Sequence, residues 1–225
     1  MNQDKLRECE TAYDQIRALI LSRRLEPGAA VSERGLSEQL ALGRTPVREA
    51  VRRLAQEGLL EVAPARGTFV RQLTMQDLRE IHEVRLGLEG IAAVLAAQRG
   101  STPALQQCAL QLRQLQGQPE LDVLQTQQAG WRFHDAMFEA TGNPRLIALY
   151  HNLRAQSGLA LQQVEGYDAA RLRQALDEHL AIHDAIAAQD PERAQRCVWD
   201  HLTHALQGKL QALVRHPGQP AGSPA

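Results

Sequence analysis

The stretch Leu42-Gly-Arg-Thr-Pro-Val-Arg-Glu-Ala-Val-Arg-Arg-Leu-Ala-Gln-Glu-Gly-Leu-Leu60 spells a short helix with one oily side and one cationic side. Thr45 reads as its N-cap, since a hydroxyl accepts from the orphan N–H groups of a first turn. Pro46 suits the first helical position, where a missing N–H costs nothing. Val47, Ala50, Val51 and Leu54 recur at helical spacing and form an apolar stripe. Arg44, Arg48 and Arg52 fall on another face, with Arg53 beside them, and Gly58 ends the run. By itself such a charge run is more often a solvated face, so the flanking segments decide.

Upstream, Val31-Ser-Glu-Arg-Gly-Leu-Ser-Glu-Gln-Leu40 is a second short helix, with Ser32 as N-cap and Leu36 and Leu40 facing a core. Ala41 to Gly43 make a turn tight enough for a helix-turn-helix. Downstream, Leu60 to Arg71 alternates as strands do on either side of Pro64-Ala-Arg-Gly67, giving a two-stranded wing with Arg66 near its tip. An earlier helix, about Glu10 to Arg24, sets Ile16, Leu19 and Ile20 against the pair. A helix presented in this way is suited to the DNA major groove.

Residues 10–71 therefore resemble the winged helix-turn-helix of the GntR family of bacterial transcription regulators. The resemblance rests on Ser32-Glu-Arg34, Leu40, Arg44-Thr-Pro-Val-Arg48-Glu-Ala, Leu54, Glu57-Gly-Leu59 and Arg66-Gly-Thr-Phe-Val70. It implies that Arg34, Arg44 and Arg48 contact bases or phosphates of an operator duplex, Arg52 lying on the same edge. Thr45 would reach a phosphate, and Arg66 with Gly67 would enter the minor groove. A guanidinium can grip a guanine edge or a phosphate at two points.

Composition bounds the reading. The chain has 225 residues, with 25 Lys+Arg against 26 Asp+Glu and a formal net charge of −1. Positions 34–71, however, hold seven Arg and four Glu. That modest local excess fits a dimer reading a defined operator better than a protein that coats any DNA. The length allows two domains, each with its own core. Cys9, Cys108 and Cys197 are odd in number, widely separated and without metal-ligand spacing, as expected of reduced cysteines in the cytoplasm. No apolar run reaches the length of a membrane span, and the N-terminus lacks the pattern of a signal peptide.

The first domain is expected over 1–71 and the second over 74–214, with a disordered tail over 215–225. The second reads as helical throughout. Thr74-x-x-Asp77 resembles a capping box. Helices follow to about Arg99, from Thr102-Pro103 to about Leu115, from Pro119 to Thr141, and from Asn143-Pro144 to about Val164. Two more run from Ala169 to Gln189 and, after Asp190-Pro191, to Val214. The fold class is thus mostly α, a winged helix-turn-helix followed by an antiparallel all-α bundle of six to seven helices. Bundles place ligands between their helices.

Three histidines, His134, His179 and His201, lie on three of these helices beside apolar residues. Singly, each reads as a hydrogen-bonded core or surface histidine; together they can converge as a facial metal site. His183 and His204 look turned to solvent. The order Phe133-His, Thr141-Gly-Asn-Pro144, Glu178-His-x-x-Ile, Asp190-Pro-Glu-x-Ala194 and His201-Leu is similar to the FCD-type effector domain of the FadR branch of the same family. That resemblance implies that His134, His179 and His201 are metal ligands. The family's fourth ligand, an aspartate one turn before the first histidine, is replaced by Gly130. The cofactor implied is Zn2+ or Ni2+, weakened by that loss. Arg85 reads either as a snorkelling surface arginine or, by resemblance, as the cation for an effector carboxylate.

The function expected is metabolite-controlled repression or activation by a homodimer, with no membrane partner and no enzymatic activity. Two other readings compete: a metal-dependent enzyme in the helical domain, and a protein-interaction module.

Overall fold

The computed structural model describes residues 3–162 and 169–215. Twelve elements lie along them, and the chain divides into two compact units. One unit runs to Thr74 and includes the stretch from Asn152 on; the other runs from Met75 to His151 and resumes after the gap in the described residues.

In the first unit, α1 (Gln3–Leu21) packs on α3 (Arg44–Gln56), and α2 (Glu33–Leu40) leads into α3. Ala12, Ile16, Ile20, Val47 and Leu54 are buried between the helices. Ser32 caps α2 by accepting from the Gly35 N–H. The turn passes through Ala41 at φ 54° and is held by Ser37 Oγ, which donates to the Leu42 carbonyl at 2.8 Å. α3 ends as a Schellman motif: Leu59 N–H bonds the Leu54 carbonyl and Gly58 N–H the Ala55 carbonyl, with Gly58 at φ 73°. α1 begins seven residues earlier than the sequence indicates and stops three earlier.

Two expectations fail here. Thr45 is not the N-cap of α3: Gly43 occupies that place with extended backbone and no side-chain cap. Pro46 therefore sits at the third helical position, still among the N–H groups that lack an intrahelical partner. The wing is also larger than two strands. β1 (Ala30–Val31), β2 (Leu60–Ala63) and β3 (Gly67–Val70) form an antiparallel sheet in the order β1-β3-β2, with Val31 opposite Thr68 and Val62 also opposite Thr68. A two-residue strand leaves no alternation to read.

The second unit is built on α4 (Met75–Arg99), α5 (Pro103–Gln116), α6 (Val123–Ala140), α8 (Ala169–Ala187) and α9 (Pro191–Arg215). α4 and α9 lie side by side, and α8 packs on α9 and α5. Phe133, Met137, Ile182, Ile186 and Val198 are buried in its core. Thr102 caps α5. α6 starts at Val123 rather than Pro119, because Asp122 supplies the cap, accepting from the Gln125 N–H at 2.6 Å. α7 (Pro144–Gln162) belongs to both units. Its later half meets the first: Gln156 donates to the Glu57 carbonyl at 3.1 Å, and Gly158 lies against Leu21. The expected end of this helix near Val164 and the tail over 216–225 lie outside the described residues.

Candidate functional site

Two places gather chemistry, one in each unit. In the first, α3 buries Pro46, Val47, Ala50, Val51 and Leu54 and leaves Arg44, Thr45, Arg48 and Arg52 exposed. Arg34 is exposed on α2, and Arg66 and Gly67 are exposed at the turn between β2 and β3. That turn is closed by Arg66 N–H donating to the Ala63 carbonyl, with Ala65 at φ 59° and Gly67 at φ 112°. The cations are not equivalent. Arg34 pairs with Glu38 and Arg52 with Glu49, each at 2.9 Å. The guanidinium groups of Arg44, Arg48 and Arg66 have no hydrogen bond or ion pair with any described residue.

Arg53, which the sequence sets beside the other arginines, does something else. Its guanidinium stacks 3.8 Å over the Tyr13 ring and bonds Glu10 and Glu57. It fastens α3 to α1. Tyr13 Oη donates to Glu57 at 2.6 Å, and burial followed by that carboxylate pushes the phenol up to about 12.

In the second unit the three predicted histidines meet. His134 from α6, His179 from α8 and His201 from α9 are all buried. Nε2 of His134 lies 3.1 Å from Nε2 of His179 and 3.3 Å from Nε2 of His201. Each ring is held from behind through Nδ1. His134 Nδ1 is 2.7 Å from Glu89 Oε2, His179 Nδ1 is 2.6 Å from the Ala175 carbonyl, and His201 Nδ1 is 2.8 Å from Glu178 Oε2. The Ala175 carbonyl and Glu178 accept from Nδ1 of His179 and of His201, while Nδ1 of His134 faces Glu89 Oε2 as a close charge contact rather than an aligned hydrogen bond. Each Nε2 then turns a lone pair toward the same small volume. This is the outer-partner arrangement that orients imidazole ligands on a metal. Burial, then repulsion from the neighbouring histidines, drives His179 and His201 well below the ordinary histidine range. Neutral imidazoles are what a divalent cation needs, and the residues present fit one.

Two carboxylates that the sequence did not single out complete the centre. Glu89, fully buried on α4, touches His134 with one oxygen and Arg85 Nε with the other at 2.5 Å. Burial would raise its carboxyl, but Arg85 and His134 outweigh burial and hold it far below the usual range. Glu178 on α8 accepts from His201, His204 and Arg171. The signals were available: Glu89 stands four residues after Arg85, and Glu178 directly precedes His179. Arg85 is buried, 5.9 Å over the Trp131 ring, and so is not a surface arginine. His183 is likewise buried, near Ser101 and Asp184, and apart from the cluster.

Gly130 has a steric role. A Cβ there would lie 3.0 Å from Cε1 of His179. The missing aspartate thus makes room for the His179 ring, while Glu89 and Glu178 bring negative charge to the histidines from outside.

The likenesses to known proteins fall on two successive segments of the chain. Residues 9–70 match the family described as bacterial regulatory proteins, gntR family, and residues 80–204 match the FCD domain. The chain is 34% identical to the probable D-xylose utilization operon transcriptional repressor of Paenarthrobacter nicotinovorans, covering 92% of this chain and 91% of that protein. It is 31% identical to the HTH-type transcriptional regulator McbR of Escherichia coli, over 77% of this chain and 80% of that one. The solved structure of E. coli McbR/YncC superposes with a TM-score of 0.77 at 27% identity, covering 91% of this chain and 97% of that one. A putative GntR regulator from Rhodococcus sp. RHA1 shares the fold, with a TM-score of 0.73 at 24% identity and coverage of 91% and 98%.

Proposed function

Because the chain belongs to the GntR family of bacterial regulatory proteins and carries an FCD domain, we propose that it represses transcription from an operator it binds as a homodimer, under the control of a small organic acid. The observation that carries the DNA reading is the free cationic edge of Arg44 and Arg48 on α3 with Arg66 on the wing. Arg34, Thr45, Arg52 and Gly67 flank it and join the contact. Two such edges on a symmetric dimer read half-sites about one DNA turn apart. Repression follows the P. nicotinovorans relative, described as a repressor.

The effector site is the histidine centre. His134, His179 and His201 hold zinc or nickel there through Nε2, and the ion supplies a Lewis-acidic anchor for a carboxylate. Glu89 orients His134 and positions Arg85, whose guanidinium is the organic counterpart of that anchor. Glu178 orients His201. Ligand binding favours one state of the protein over another, and DNA affinity changes by linkage. A hydrolytic role is disfavoured because the two carboxylates beside the cluster, Glu89 and Glu178, are both committed to cations and imidazoles.

The test is selection of duplexes from a random library by full-length protein. A palindromic consensus is expected, its affinity changed when zinc and an organic-acid panel are added. Recovery of unenriched sequence, or enrichment unaffected by Arg48→Ala, would overturn the reading.

A further inference from the structure

Beside the proposed effector site, one buried cation has no anionic partner among the described residues. Lys209 lies on α9 two turns beyond His201 and is 6% exposed. Its ammonium makes no hydrogen bond or ion pair with any described residue. The charged groups that face it are Arg85 and Glu89 from α4 and Arg171 from α8, and His82 of α4 also feels its field. Neither carboxylate described near it is available. Glu89 is shared by Arg85 and His134, and Glu178, two turns along α8 from Arg171, is shared by Arg171, His201 and His204.

A buried ammonium without an anion is costly, and the group responds by binding its proton less tightly. Burial, then repulsion from Arg85, brings Lys209 down to about 7. Gly130 adds to the imbalance. With three neutral imidazoles and no carboxylate ligand, a divalent cation would keep both its charges. The groups described around the histidine centre and Lys209 would therefore carry more positive charge than one carboxylate can answer.

We propose that the effector is a small dicarboxylate: one carboxylate sits at the histidine centre and Arg85, and the other pairs with Lys209. This rests on the organic-acid reading of the same site. Lys209 and His201 are eight residues apart, about 12 Å along a helix axis. Helical side chains lean toward the N-terminus, the direction in which a lysine stem at this position would shorten that gap.

The experiment is calorimetric titration of the zinc-loaded full chain with succinate and glutarate against their length-matched monoacids, butyrate and pentanoate. At least one diacid binds about tenfold or more tightly than its monoacid partner, the scale of one added charge-assisted hydrogen bond. Lys209→Met removes that preference while butyrate affinity and zinc content stay unchanged, and Lys209→Arg keeps it. Equal affinities in the unaltered protein, or a Lys209→Met that weakens monoacids and diacids alike, would overturn the dicarboxylate. Binding of neither kind of acid would remove the organic-acid reading along with it, so the two failures are distinguishable.

Discussion

Glu89→Gln keeps the shape of a fully buried side chain and removes its charge. One carboxylate oxygen of Glu89 meets Arg85 Nε at 2.5 Å and the other faces His134 Nδ1 at 2.7 Å. A glutamine oxygen can accept from one of these, but its amide N–H then confronts the other donor. Removing one partner of a buried ion pair costs about 3–5 kcal/mol. With a urea slope of about 2 kcal/mol/M, the unfolding midpoint falls by about 1.5–2.5 M. Loss of the carboxylate behind a ligating imidazole also weakens zinc by about 10–100-fold. Both tryptophans, Trp131 and Trp199, belong to the helical unit, so their fluorescence follows its unfolding separately from the winged unit. The pH dependence has a definite sign. The Glu89 pKa is lowered on folding from an ordinary 4.5, so its contribution is present above that pH and lost as pH falls below it. Wild type and variant should therefore converge in acid. A midpoint shift below about 0.5 M at neutral pH, with zinc affinity unchanged, would refute the coupling of Glu89 to Arg85 and His134.

Other consequences can be measured directly. Arg44→Ala or Arg48→Ala costs about 1–3 kcal/mol of operator binding in an anisotropy titration, with folding unaffected; Arg53→Ala lowers the stability of the winged unit instead, and equal behaviour of the three would count against the assignment. Gly130→Ala gains about 0.5–1 kcal/mol of helix propensity but presses on the His179 ring, so stability is held while zinc is lost more readily to a chelator. Unchanged zinc retention would defeat that account. Lys209 titrates near 7 when folded against an ordinary 10.5, so the unfolded chain binds more protons between those values and stability rises with pH across that window. Lys209→Met flattens the rise, as urea midpoints at several pH values would reveal.

Much of this was legible in the chain because its signals are local. The α3 stripe, the Schellman glycine at Gly58 and the caps at Ser32 and Thr102 depend on residues within a turn or two of each other. The three histidines were legible as candidates because each stands among apolar neighbours at helical spacing. What escaped was long-range or too short to carry a period. β1 has two residues, and its pairing with β3 is fixed by a partner some forty positions away. Gly43 displaced Thr45 as cap because backbone conformation, not side-chain chemistry, set the start of α3. Arg53 was indistinguishable from Arg52 until Tyr13 and Glu10 came against it. Glu89 and Lys209 gained meaning only once α4 and α9 lay side by side.

The division of labour on α3 bears on how such a protein diversifies. Arg53 and Tyr13 clamp the helix at one flank, while the apolar stripe seats it from beneath. Neither fastening draws on Arg44 or Arg48. On the proposed DNA contact, selection can therefore rewrite those two letters, and with them the genes addressed, without renegotiating how the reading head is mounted.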